Sequence, residues 1–162
     1  MPFGMGSSSS SKKSKNVAVD ASGPLSMKNG PNKGVSGLNL KKQLSVLVVD
    51  DNPVNRKILK MMLANLGVEA QEAENGQEAV DLHLGGAHFD LILIDMEMPV
   101  MDGPQATRVL RTMGVGCKMI GVSANSRNRD KQVFMEAGID EYHVKPMTRP
   151  KLISILKEVD DA

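Results

Sequence analysis

Val46-Leu47-Val48-Val49-Asp50-Asp51-Asn52-Pro53, running on into Val54-Asn55-Arg56-Lys57-Ile58-Leu59-Lys60-Met61-Met62-Leu63-Ala64-Asn65-Leu66-Gly67, decides the fold. The apolar run Val46–Val49 has the length and density of a buried strand. Asn52 suits a helix N-cap and Pro53 the first helical position. From there Ile58, Leu59, Met61, Met62, Leu63 and Leu66 recur at helical spacing as one broad apolar face, and Gly67 is a C-terminal stop. One strand therefore runs through a short acidic turn into one helix.

The same alternation repeats to the end of the chain. Further apolar runs lie at Val68–Ala73 (weaker and mixed), Phe89–Ile94, Met119–Val122 and Tyr142–Val144. Helical periodicity fills the gaps at 76–84, 104–113, 127–137 and 149–159, several of these segments ending at glycine. Strands alternating with helices through short connections predict βαβ units, a parallel sheet buried on both faces and an α/β doubly wound, three-layer α/β/α sandwich.

Working outward, the composition changes at Leu44. Residues 1–43 are rich in Ser, Gly, Lys, Asn and Pro and hold seven Lys against one Asp, a net +6. The remainder carries 13 basic and 18 acidic side chains, a net −5, so the overall +1 conceals a basic leader on an acidic domain. The leader lacks the apolar content to offset chain entropy and is expected to be disordered, leaving 44–162 as the folded domain. With 41% apolar residues but only three Phe, one Tyr and no Trp, the core falls to Val, Ile, Leu, Ala and the twelve Met. No apolar run approaches the roughly 18–20 residues of a membrane span, and no secretory h-region opens the chain. A lone Cys117 excludes an internal disulfide; the expected setting is cytoplasmic, extending to the nucleus.

In an open parallel sheet, ligands bind beyond the carboxyl ends of the strands. Those ends read Asp50-Asp51, Asp95, Ser123 and Lys145-Pro146. Taken singly, each is an ordinary turn or loop residue. Together they bring three carboxylates, a hydroxyl and an ammonium to one rim. Three close carboxylates repel unless a cation joins them; hard oxygen ligands suit Mg²⁺, and a carboxylate can itself accept a phosphoryl group.

These residues, in this order, resemble the response-regulator receiver (CheY-like) family. The resemblance rests on Val46–Asn52, on Asp90–Pro99 with Met101-Asp102-Gly103, on Gly121-Val122-Ser123-Ala124, on Ala137-Gly138 and on Lys145-Pro146. It covers about residues 44–160. It implies a flavodoxin-like five-stranded sheet of order 2-1-3-4-5. It implies Asp95 as phosphoacceptor, Asp50 and Asp51 as the acidic pair holding Mg²⁺ (or Mn²⁺) with Asp95 and the main-chain carbonyl of Glu97, Ser123 as the switch hydroxyl and Lys145 as the cation on the phosphoryl group. Tyr142 stands at the family's switch aromatic, and Glu97 and Asn125 at the positions that tune aspartyl-phosphate lifetime.

Asn52-Pro53-Val54-Asn55-Arg56 is similar to receivers of hybrid kinases and phosphorelays, and 101–107 with 111–116 to the plant receivers called type-C, which lack a DNA-binding output domain. The function so implied is acceptance of a phosphoryl group from a histidine-containing phosphotransfer protein, within plant cytokinin-type signalling, followed by hydrolysis. The chain would act as a phosphate sink or, alternatively, as a phosphorylation-gated module binding an effector on the face of the fourth helix, fifth strand and fifth helix. It is no conventional enzyme, unless draining phosphohistidine counts as one. A haloacid-dehalogenase-like hydrolase would want an Asp at position 97, where Glu97 stands, and no P-loop is present.

Overall fold

The apolar runs become strands and the periodic segments helices. In the computed structural model, which describes residues 38–162, the order is β1 (Ser45–Val49), α1 (Pro53–Asn65), β2 (Glu69–Ala73), α2 (Gly76–Leu84), β3 (Leu91–Asp95), α3 (Gly103–Thr112), β4 (Lys118–Ser123), α4 (Asn128–Ala137), β5 (Glu141–Val144) and α5 (Arg149–Asp161). All pairings are parallel, and the sheet order is β2-β1-β3-β4-β5. The expected basic tail falls almost wholly on residues outside those described. Leu40–Ala162 forms a unit of its own.

β1, β3 and β4 are the buried heart, with Leu47, Ile92, Ile94 and Met119 packed against Ala106, Leu110 and Phe134. β2 departs from the expectation of burial on both faces. Glu69, Gln71 and Glu72 are exposed there, because β2 is an edge strand; charge on an edge blocks pairing with other chains.

Four of the five described helices, α4 being the exception, start on a side-chain cap. Asn52 Oδ1 accepts from the amides of Val54 and Asn55 at the head of α1. Asp102 and Gln105 form a reciprocal capping box on α3. That box starts the helix at Gly103, one residue before Pro104 where the apolar periodicity begins. Gly103 also permits close approach, since a Cβ there would collide with the Asp95 carbonyl oxygen and meet the Phe134 ring at 2.7 Å. α5 runs two residues beyond Val159, to Asp161, and its last turn carries the buried Asp160, whose carboxylate accepts the amides of Lys41 and Lys42 at 2.7 and 2.8 Å.

The amino end of the sheet is tied by Arg111. Its guanidinium donates to the carbonyls of Gly138, Val115 and Cys117 at 2.8–2.9 Å and to Asp140 Oδ2 at 3.0 Å. Asp140 Oδ2 in turn accepts the Met119 amide at 2.8 Å.

Candidate functional site

At the opposite end the strands stop in register. The last β1–β3 pair is Val49–Ile94, so Asp50 and Asp95 follow on adjacent strands. Asp95 pairs with Val122, placing Ser123 one residue beyond, and Ser123 pairs with Val144, placing Lys145 next. The Met96 amide donates to Val122 O (2.9 Å) and the Lys145 amide to Ser123 O (2.7 Å), carrying parallel pairing past the strands and holding the rim residues together.

Asp50 and Asp95 are buried and Asp51 is exposed, yet one carboxylate oxygen from each lies within 4.8 Å of the others. Lys145 Nζ approaches Asp95 Oδ1 at 3.0 Å and Asp50 Oδ2 at 3.4 Å. Burial pushes the Asp95 carboxyl up to about 6; the Lys145 ammonium opposes this, while Asp50 and Asp51 add to it. Burial works against the charge on Lys145, but the Asp95 and Asp50 carboxylates outweigh it and hold its pKa above the ordinary value. Three carboxylates against one ammonium leave negative charge in excess. A set of hard oxygens with that excess fits a divalent cation such as Mg²⁺.

Ser123 is buried, and its Oγ accepts the Asn125 amide at 3.3 Å. Asn125 Oδ1 accepts the Arg127 amide (3.1 Å), bending the loop into α4. Tyr142 is half-buried. Its hydroxyl donates to the Asn125 carbonyl at 2.8 Å, and its ring meets Phe134 edge-on at 6.3 Å. Glu97 lies exposed on the loop after β3. The Lys145–Pro146 bond is cis. Beside Asp95 and Lys145 opens a cavity of about 150 Å³ between α1 and the β5–α5 loop, lined by Ile58, Leu59, Pro146 and Met147.

Three contributors were not singled out from the sequence. Arg56 donates to the Asp50 main-chain carbonyl at 2.7 Å and to Glu72 Oε1 at 2.7 Å. Phe134 backs both Gly103 and Gly121, where a Cβ would sit 2.6 Å from its ring. Val100 adopts φ 72° while 78% exposed. The only signals were a cation inside the first turns of α1 and a single Phe in a weakly apolar helix. Nothing in sequence marks a valine as left-handed.

Residues 46–157 match the response regulator receiver domain family. Two-component response regulator 24 of Arabidopsis thaliana is 44% identical over 120 residues, 74% of this chain and 86% of that protein. Rice response regulator ORR41 is 40% identical over 72% of this chain and 94% of its own length. Among solved structures, the receiver domain of the Pseudomonas aeruginosa sensor histidine kinase PA1611, with a magnesium ion coordinated in its active site cleft, aligns with TM-score 0.68 at 32% identity, covering 75% of this chain and all of that one. The receiver of yeast Ssk1, in complex with the histidine phosphotransfer protein Ypd1, aligns with TM-score 0.67 at 26% identity over 74% of this chain and 90% of that one. With the sheet order 2-1-3-4-5 and the acidic rim in place, the chain belongs to the response-regulator receiver family, and plant two-component response regulators are among its relatives.

Proposed function

We propose that Asp95 accepts a phosphoryl group from a phosphohistidine on a histidine-containing phosphotransfer protein, and that water then hydrolyses the aspartyl phosphate. The observation carrying this is Asp95 itself, a buried carboxylate at a strand end with Lys145 Nζ at 3.0 Å and two further carboxylates within 4.8 Å. Asp50, Asp51, Asp95 and the Glu97 carbonyl would hold Mg²⁺, for which Mn²⁺ can substitute; bound there, the ion supplies charge neutralisation for the phosphoryl oxygens. An Asp95 carboxylate oxygen attacks phosphorus. The P–N bond breaks, and its electron pair stays on the imidazole, which takes up a proton. Lys145 places a point charge on the transferring group and Ser123 donates a hydrogen bond to it.

The partner's helices would lie on α1, where Val54, Ile58 and Met61 form a stripe that is 51–62% exposed. No helix among the described residues is long and apolar enough to cross a membrane. The plant two-component response regulators among its relatives support a place in a plant phosphorelay; within it we propose cytokinin-type signalling, with the chain draining phosphate from its partner.

A second reading is favoured by one contact. Tyr142 ties β5 to the Asn125 carbonyl, two residues after Ser123, so movement of Ser123 toward a phosphoryl group would reach the α4–β5–α5 face and gate an effector there.

The test is to follow labelled phosphate from a phosphorylated phosphotransfer protein to this chain, with Asp95→Asn and EDTA controls. Transfer is expected only with Asp95 and Mg²⁺ both present. A short dwell time selects the sink and a long one the gated module; an Asp95→Asn variant that drains the partner as well as wild type would sink the assignment.

A further inference from the structure

Asp51 is exposed, so its carboxylate takes its position from the backbone that carries it. That backbone begins at Asp50, whose carbonyl falls past the last β1–β3 pair. The other polar groups of Asp50 are fixed by neighbours. Its amide donates to Ala73 O (3.1 Å), Oδ1 accepts the Asn52 amide (2.8 Å) and Oδ2 faces Lys145. The remaining group, the carbonyl, is held by Arg56 Nη1 at 2.7 Å.

Arg56 is itself aimed. Its Nε donates to Glu72 Oε1 at 2.7 Å, while Lys60, one helical turn on, takes Glu72 Oε2 at 3.1 Å. The planar guanidinium, on a side chain only 11% exposed, thus spans from edge strand β2 to the peptide joining Asp50 and Asp51. An ion pair whose acid is 43% exposed contributes little stability. The bridge fixes direction.

We infer that Arg56 is a positioning residue for the acidic pair: by linking Glu72 to the Asp50 carbonyl it sets the Asp50–Asp51 peptide and hence the spacing of the carboxylates that would hold the metal. Glu72 is the second member of the device, and Lys60 the third. This rests on the Mg²⁺ reading of the site given above. A bare cation would serve as well if only charge mattered; a lysine, with one compact head, cannot span both acceptors.

The test is calorimetric titration of Mg²⁺ into the wild-type chain and into Arg56→Gln, Arg56→Lys, Glu72→Gln and Asp51→Asn. Amide spectra and melting are recorded in EDTA. Arg56→Gln is expected to weaken Mg²⁺ roughly tenfold, the scale of losing an outer-shell partner. Arg56→Lys should fail to restore it, Glu72→Gln should weaken it by a smaller factor, and the Asp51 and Asn52 amides should broaden in the metal-free variants. Wild-type Mg²⁺ affinity in Arg56→Gln with a lowered melting point, or in Glu72→Gln if the arginine variant does not fold, would make the bridge a mere brace. Full rescue by Arg56→Lys would reduce it to charge. If Asp51→Asn binds Mg²⁺ as wild type does, the metal reading itself falls; if Asp51→Asn loses Mg²⁺ while the Arg56 and Glu72 variants keep it, only the positioning role does.

Discussion

Burial raises the Asp95 carboxyl from an ordinary 3.8 to about 6, which makes the residue a cost to the metal-free fold near neutrality. Between those values the folded chain binds more protons than the unfolded one, so metal-free stability falls as pH rises through that window. Asp95→Asn should therefore raise the melting point in EDTA at pH 7, by roughly 1–2 kcal/mol of stability, and abolish phosphate acceptance; a melting point no higher than wild type would refute the burial account. Val100 is a different kind of cost. A β-branched residue at φ 72° in a three-residue turn, with the Met101 amide on Pro99 O at 2.8 Å, is strained. Val100→Asn should stabilise by about 1 kcal/mol, read by denaturant midpoint. The sequence showed Asp50, Asp51, Asp95, Ser123 and Lys145 because each ends a strand or lies just past the end of one, a position that periodicity reveals. It did not show Val100 or the role of Arg56, since backbone sign and a side chain's reach across to β2 leave no periodic trace.

At the level of elements, the third strand–helix unit controls the site. α3 begins where the Asp102–Gln105 box satisfies its first amides, and Gly103 lets that helix end lie against the Asp95 carbonyl. Asp102→Ala should cost about 1 kcal/mol of stability with little change in phosphate uptake. Gly103→Ala should cost about 2–3 kcal/mol and slow uptake as well, since the clash falls on the backbone of Asp95, the proposed acceptor. Equal slowing in both variants would mean that the helix end, not the glycine, positions Asp95. All five strands and five helices of the described residues were legible from the alternation of apolar runs with helical spacing, and their ends shifted by a residue or two. β2 was the least legible, because an edge strand bearing Glu69, Gln71 and Glu72 has one sheet neighbour and little need of apolar side chains.

For the whole molecule, the excess negative charge at the rim makes stability and cation binding two views of one equilibrium. Mg²⁺ held at the rim as proposed would compete with the proton on Asp95, so the rise in melting temperature given by millimolar Mg²⁺ should be large at pH 7.5 and shrink as pH falls through about 6. Melting curves at fixed ionic strength check this; a Mg²⁺ effect independent of pH would show that Asp95 does not share the ion.

The Arg111 clasp gives the two ends of the sheet opposite characters. One guanidinium reaches both the α3–β4 and α4–β5 connections, and through Asp140 the start of β4. The molecule is thereby a vise with one fixed jaw. A displacement of the β4–α4 loop, as proposed for phosphorylation, would find little slack at the far end of β4 and would go sideways, through Tyr142, into α4 and β5. Amide exchange at Met119 should stay unchanged on phosphorylation while exchange in α4 shifts, and Arg111→Ala should let the displacement leak into the sheet, where it drives no surface change at all.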